Sequence, residues 1–146
     1  MSLREVYGLA MTRRQFFGRT SSGIGAAALA SLRLFDRNQL LDNIRANSER
    51  LQRRLGELGS HPHVGEIRQK GIMVGIELVR DRDGNVPYPP EQRTGHQVTL
   101  AARQQGVMIR PLGDVVVLMP APAMPGELID RLCDVVIASI DEVTTA

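Results

Sequence analysis

Twice along this chain, two short β-branched runs stand back to back across a glycine-bearing turn, and this pattern constrains the fold more than any other feature. Val64 to Gln69 and Ile72 to Val79 flank Lys70-Gly71. Val107 to Arg110 and Val115 to Met119 flank Pro111-Leu112-Gly113-Asp114. Runs of this length and composition read as strands, and the short connections make each pair neighbours in one sheet. Ile72-Met73-Val74-Gly75-Ile76 is apolar enough to lie in the middle of that sheet.

Helical periods surround the strands. Leu34, Leu40, Leu41, Ile44, Leu51, Leu55 and Leu58 mark a long amphipathic helix that Gly59-Ser60-His61-Pro62 ends. Arg93 to Gln105 reads as a helix closed by Gly106. Pro125 to Val143 reads as another, with Leu128, Leu132, Val135, Val136, Ile140 and Val143 on one side. Asp81 to Pro90 is a loop, because Asp-Gly-Asn and Pro-Tyr-Pro-Pro break both periods. The expected architecture is α+β: a small, mainly antiparallel sheet flanked by helices on one face.

Composition excludes several classes. With 146 residues and 42% hydrophobic content the chain is long enough for one ordinary core. The single cysteine, Cys133, cannot form an intrachain disulfide and reads as a small buried hydrophobe. Residues 1–32 hold Arg4, Arg13, Arg14 and Arg19 against Glu5, a net +3, which leaves 14 basic and 15 acidic groups in residues 33–146, a net −1. A nearly neutral body with five aromatic residues lacks the basic, stacking surface that nucleic-acid binding needs, so no nucleic-acid partner is expected.

The N-terminal segment has two readings. Arg13-Arg14-Gln15-Phe16-Phe17 before the small, weakly apolar run to Leu32 resembles a twin-arginine export leader, and the Ala-rich stretch equally reads as the start of a packing helix. The apolar part is too short to span a bilayer, so no membrane span is expected. On the first reading the product is an exported, non-enzymatic binding or structural domain, and on the second it is cytoplasmic.

Self-contained catalytic motifs are missing from the sequence, and no metal site is expected. His61 and His63 flank Pro62 and read as a polar turn, and His96 reads as a helix-surface histidine. Arg110, followed by Pro111 and Gly113, is placed to present a planar fork to a carboxylate or phosphate. Spacing alone leaves a surface arginine at a strand end as the alternative.

Taken together, Gln69-Lys-Gly-Ile-Met-Val-Gly-Ile-Glu-Leu78, Ala101-Ala102-Arg103, Gly106-Val-Met-Ile-Arg-Pro-Leu-Gly113 and Val117-Leu-Met-Pro120 closely resemble the C-terminal small domain of class III aminotransferases, fold-type I enzymes dependent on pyridoxal 5'-phosphate. Within them, the Ile109-to-Gly113 and Val117-to-Pro120 segments are most similar to the branch in biotin synthesis that takes its amino group from S-adenosylmethionine and passes it to 8-amino-7-oxononanoate. The resemblance implies that residues 33–146 are the small domain and 1–32 a leader-like or poorly matched segment. It implies that Arg110 pairs with the substrate carboxylate, and that Gly18-Arg19-Thr20 corresponds to a segment reaching the cofactor phosphate of a partner subunit, making Thr20 the cofactor-binding candidate. The large domain, with its Schiff-base lysine, is not matched. Lys70, the single lysine, does not fall at the catalytic position, so the chain by itself is expected to be inactive, to hold the cofactor poorly and to form a homo-oligomer.

Overall fold

The structure, a computed structural model, describes residues 13–145, with side chains from residue 23 onward. The described residues up to Gln39 and those from Leu40 onward form separate compact units. In the first, helix α1 runs over Arg13–Arg37. In the second, α2 (Leu40–Leu55) leads through a 3-10 turn (Gly56–Ser60) to strands β1 (Val64–Lys70) and β2 (Met73–Leu78). Helix α3 (Thr94–Gln104), strands β3 (Arg110–Leu112) and β4 (Val115–Leu118) and helix α4 (Gly126–Thr144) follow.

The four strands lie in the order β1-β2-β4-β3 and every pairing is antiparallel. The sheet is therefore two hairpins joined edge to edge, and β2 is central, as its apolar run requires. Each hairpin turns over two residues, with glycine first: Gly71 at φ +59° and Gly113 at φ +60°. That left-handed backbone suits the twist of antiparallel neighbours and carries a steric penalty for any residue with a Cβ.

Alternation along the strands builds the core. Val74, Ile76 and Leu78 of β2 and Val116 and Leu118 of β4 point to one side and are buried. They meet Leu51 and Leu55 of α2, Val98 and Ala102 of α3, and Ile129, Val136 and Ile140 of α4. Burial of such side chains is the main favourable term, about 1.5–3 kcal/mol each. Around this core, polar contacts join α2 to α4 and to the segment that leads into it. Asn47 Nδ2 donates to the Met124 carbonyl at 2.8 Å and Asn43 Nδ2 to the Pro122 carbonyl at 2.6 Å. Further along, Arg50 pairs with Asp130 at 2.7 Å and Arg54 with Asp134.

Three expectations are corrected. The single helix expected over Leu34–Leu58 is divided at Asn38-Gln39, where Gln39 takes φ +46° and donates its N–H to the Asp36 carbonyl. The step of six from Leu34 to Leu40 slips the 3.6-residue phase, and Leu34 and Leu41 are exposed while Leu51, Leu55 and Leu58 are buried. In α4 the expected Val135, Val136 and Ile140 are buried and Leu132 packs partly against the core, but Leu128 is exposed and Ile129 and Cys133 are buried in the turns where Leu128 and Leu132 were expected to lead. Finally, Arg110 opens a strand instead of ending one. Pro111 and Leu112 belong to β3, leaving only Gly113-Asp114 as the turn. Pro111 is tolerated because β3 is an edge strand, where a missing N–H breaks no ladder bond on the open side.

Helix α3 lacks a local N-terminal cap: Arg93 sits at φ +48° and its side chain caps nothing. Asp114 in the β3–β4 turn supplies the cap, its Oδ1 accepting the Gly95 N–H at 3.0 Å. Gly95 is required for that contact, because a Cβ there would fall on the Gly113 carbonyl oxygen and lie 3.0 Å from Asp114 Cα. Among the described residues no helix is long and apolar enough to cross a membrane.

Gly95→Ala is expected to destabilise the fold by about 1–3 kcal/mol or more, since backbone must yield. Asp114→Ala should cost about 0.5–2 kcal/mol and Asp114→Asn little, asparagine being an equally good acceptor at a helix start. Urea midpoints of the three variants check the order.

Candidate functional site

The sheet's second face carries the candidate site. Residues paired across neighbouring strands point to the same side, so the register places Arg110, Val117, Gly75 and Arg68 in one row across β3, β4, β2 and β1. Leu112, Val115, Glu77 and Glu66 form the next row. This is the face opposite the buried core residues. It is partly apolar and open: Leu112 is 73% and Met73 49% exposed.

Two arginines thus share one row under different electrostatic conditions. Arg68 donates from Nη1 to Glu66 Oε2 at 2.6 Å and to Glu77 Oε2 at 2.8 Å. These hydrogen bonds, Glu66 first, raise its pKa above the usual arginine value. Arg110 is exposed and makes no ion pair among the described residues. The fork of Arg110 is therefore available to an external carboxylate or phosphate, and the fork of Arg68 is already committed.

Beside Arg110 lies a groove of about 550 Å³ at the end of β3 and β4, walled by Met108, Ile109, Leu118, Met119 and Leu128. No acidic side chain lines it, and Arg131 stands on its rim. A guanidinium next to an apolar wall suits an anionic group carried on an aliphatic chain.

The turn that holds β3 in place is fixed at three points. The Asp114 carbonyl accepts the Leu78 N–H at 2.9 Å while its carboxylate caps α3, and Gly113 takes the left-handed backbone. Tyr88, on the loop before α3, has its pKa raised, by burial first and then by the negative charge of Asp114. The dependence of Arg110 on Asp114 and Gly95 was not read from the sequence. The signal was an aspartate in a two-residue turn, and its partner lies 19 residues away.

The other candidates are placed apart from Arg110. Lys70 ends β1 at the hairpin tip and is exposed. A lysine that forms an imine works as a free amine, its pKa lowered by burial or a nearby cation. An exposed lysine does not fit that role, so these residues do not provide the covalent anchor of pyridoxal phosphate. Thr20 lies within α1 and its side chain is outside the described residues.

His61 and His63 make a polar turn. His61 Nδ1 accepts the His63 N–H at 3.1 Å, which puts the proton on Nε2, 3.0 Å from Asp141 Oδ1. His63 Nδ1 donates to the Arg80 carbonyl at 3.0 Å. His96 is half-buried in the first turn of α3. Among the described residues no three His, Cys, Asp or Glu side chains converge on a metal site.

Cys133 is fully buried, and its pKa is pushed up to about 11, chiefly by burial, with Arg54 opposing and Asp130, Asp134 and Glu57 adding to the rise. The thiol is thereby held neutral and inert. Alkylation at pH 8 should be slow in the native protein and fast in urea, as a timed iodoacetamide reaction read by mass spectrometry would show. Above the ordinary thiol value of 9.0 the unfolded chain releases this proton and the folded one keeps it, so the Cys133 contribution to stability should fall from pH 9 to about pH 11. The loss should be absent in Cys133→Ala.

Comparison with known proteins shows the family. The model of the aminotransferase class-III family matches residues 20–140. The chain is 47% identical over 140 residues, 94% of its length, to adenosylmethionine-8-amino-7-oxononanoate aminotransferase of Nitratidesulfovibrio vulgaris, of which it covers 26%. The crystal structure of the enzyme of that name from Methanocaldococcus jannaschii superposes with a TM-score of 0.75 at 35% identity, over 80% of this chain and 27% of that one. A PMP-bound aminotransferase from Vibrio fluvialis superposes at 0.76 with 26% identity, over 81% of this chain and 26% of that one. The chain thus spans about a quarter of the length of these relatives.

Proposed function

The chain belongs to the class-III aminotransferases, and from that premise we propose that it supplies the C-terminal small domain of a pyridoxal-phosphate-dependent adenosylmethionine-8-amino-7-oxononanoate aminotransferase of biotin synthesis. One observation carries the reading. Of the two arginines in one row of the open sheet face, Arg68 is satisfied by Glu66 and Glu77, and Arg110 is left exposed beside an apolar groove. A carboxylate at the end of an aliphatic chain is the ligand this environment favours, and 8-amino-7-oxononanoate has that form.

On this reading Arg110 is a substrate-binding residue. Its two parallel N–H donors grip the substrate carboxylate and set the distance from there to the C7 ketone that accepts the amino group. Gly113 and Asp114 act through it, by holding β3 against α3. The small domain spans residues 33–146, and Thr20 of Gly18-Arg19-Thr20 is assigned to the cofactor phosphate of a partner subunit. The covalent anchor of the cofactor is supplied by residues outside these 146, because Lys70 is unsuited to that role. The open face around Leu112 and Met73 is covered by the large domain and a second subunit in the assembled enzyme, and the isolated chain self-associates through it.

A chimaera tests the proposal. Replacing the corresponding quarter of the Nitratidesulfovibrio vulgaris enzyme with this chain should preserve amino transfer from S-adenosylmethionine. In that chimaera Arg110→Lys and Arg110→Ala should each weaken productive binding of 8-amino-7-oxononanoate by about 1.5–3 kcal/mol, roughly ten- to over a hundredfold in kcat/KM. Cofactor titration should change little, and Arg68→Ala should leave kcat/KM near the parent value. Unchanged kinetics in Arg110→Ala would return this arginine to the surface, and an inactive but folded chimaera would sink the assignment of substrate.

A further inference from the structure

Asp83-Gly84 is the single place in the sequence where an aspartate or asparagine precedes glycine. It lies at the tip of the loop after β2, and both residues are exposed. The frame of this loop is well bonded. Arg80 N–H donates to the Val86 carbonyl at 2.8 Å, Val86 N–H to the Asp81 carbonyl at 2.9 Å and Asn85 N–H to the Arg82 carbonyl at 3.1 Å. Asp83 N–H donates to Asp81 Oδ1 at 3.3 Å. The Gly84 N–H has no acceptor among the described residues. Gly84 also has no side chain to shield it, and a Cβ there would stand 2.9 Å from Asp81 Oδ2. A carboxylate therefore rests directly against the glycine.

We propose that Asp83-Gly84 is a self-modification site, at which the folded protein forms an isoaspartyl linkage. The Gly84 nitrogen attacks Cγ of the protonated Asp83 carboxyl, and a nitrogen–Cγ bond forms. The amide proton passes to the Asp81 carboxylate or to water, and the Cγ hydroxyl leaves as water, giving a five-membered succinimide. Water then adds at the Asp83 main-chain carbonyl and the bond from that carbon to the Gly84 nitrogen breaks. The main chain now runs through Cβ and Cγ, and a free α-carboxylate projects from the loop. One water leaves and one returns, so the mass is unchanged and no oxidant or cofactor is consumed.

The structure selects this site over others. Asn47-Ser48 is protected in α2, because the Asn47 amide is held by the Met124 carbonyl and the helix fixes the backbone around it. At Asp83 the nucleophile is unbonded and the backbone is that of an exposed turn. The inserted main-chain atom lengthens the span between Asp81 and Val86, whose bridge closes the loop, so the modified chain loses that bridge. The product's exposed carboxylate is the kind of group that isoaspartyl-directed methyltransferases esterify.

The full chain incubated at neutral pH and physiological temperature for several weeks tests this. Isoaspartate is read by methyltransferase labelling and by fragmentation mass spectrometry of the peptide containing residue 83. Isoaspartate should accumulate at residue 83 at least an order of magnitude faster than at any other aspartate. Asp83→Glu, which would need a six-membered ring, and Gly84→Ala should each lower the rate by an order of magnitude. Asp83→Asn should raise it, with loss of ammonia in place of water. Circular dichroism confirms that each variant is folded, and Asp83→Glu alone suffices if Gly84→Ala is not. Accumulation no faster than at Asp36, or seen only in urea-unfolded chain, would overturn the proposal.

Discussion

The seating of the β3–β4 turn on the start of α3 is the contact on which the rest of the site depends. Asp114 gives its carboxylate to the Gly95 N–H and its carbonyl to the Leu78 N–H, so one residue ties helix α3, strand β2 and the second hairpin together. Gly95 makes the approach sterically feasible, since any side chain there meets the Gly113 carbonyl. Arg93 provides no cap of its own, and the N–H dipoles at the buried start of α3 are met by this distant carboxylate. Once the turn is held, pairing of Leu112 with Val115 and of Arg110 with Val117 fixes the side to which Arg110 points.

The same register explains why two arginines of one row differ in chemistry. β1 carries Glu66 two residues before Arg68 on the same face, and β2 places Glu77 opposite Glu66. Arg68 is closed off by charges only a strand spacing away. Arg110 has Val117 opposite it and lies at the sheet's far edge, with no carboxylate within ion-pair reach among the described residues. Exposed ion pairs contribute little stability, about 0–1 kcal/mol each. The consequence of the Arg68 cluster is therefore one of selectivity: it leaves one guanidinium on that row for an outside anion.

Element type was legible in the sequence wherever the period was strong. The paired β-branched runs read as hairpins because Gly71 and Gly113 allow the left-handed turn, and β2 read as central because its residues are apolar on nearly every position. Errors arose where two local patterns competed. In α4 the apolar Leu128 and Leu132 stand one position before the apolar Ile129 and Cys133, so one period fits either phase and choosing between them requires knowing what lies beneath. The break at Gln39 left no glycine or proline to mark it, only a slip in phase. Pro111 read as part of a turn because an edge position, where proline is harmless, is a property of the sheet and not of the peptide.

By itself, then, the sequence determined the α+β class, the two glycine turns, the candidate status of Arg110 and the inertness expected of a lone cysteine in an apolar series. These follow from local sterics and side-chain period, which act over a few residues. The tertiary structure decided that Ile129 and Cys133 rather than Leu128 are buried in α4, that Asp114 caps a helix 19 residues upstream, and that Arg110, unlike Arg68, makes no ion pair among the described residues. Those outcomes depend on strand order and register, which bring distant residues within hydrogen-bonding distance, and no spacing along the chain encodes a distance across it.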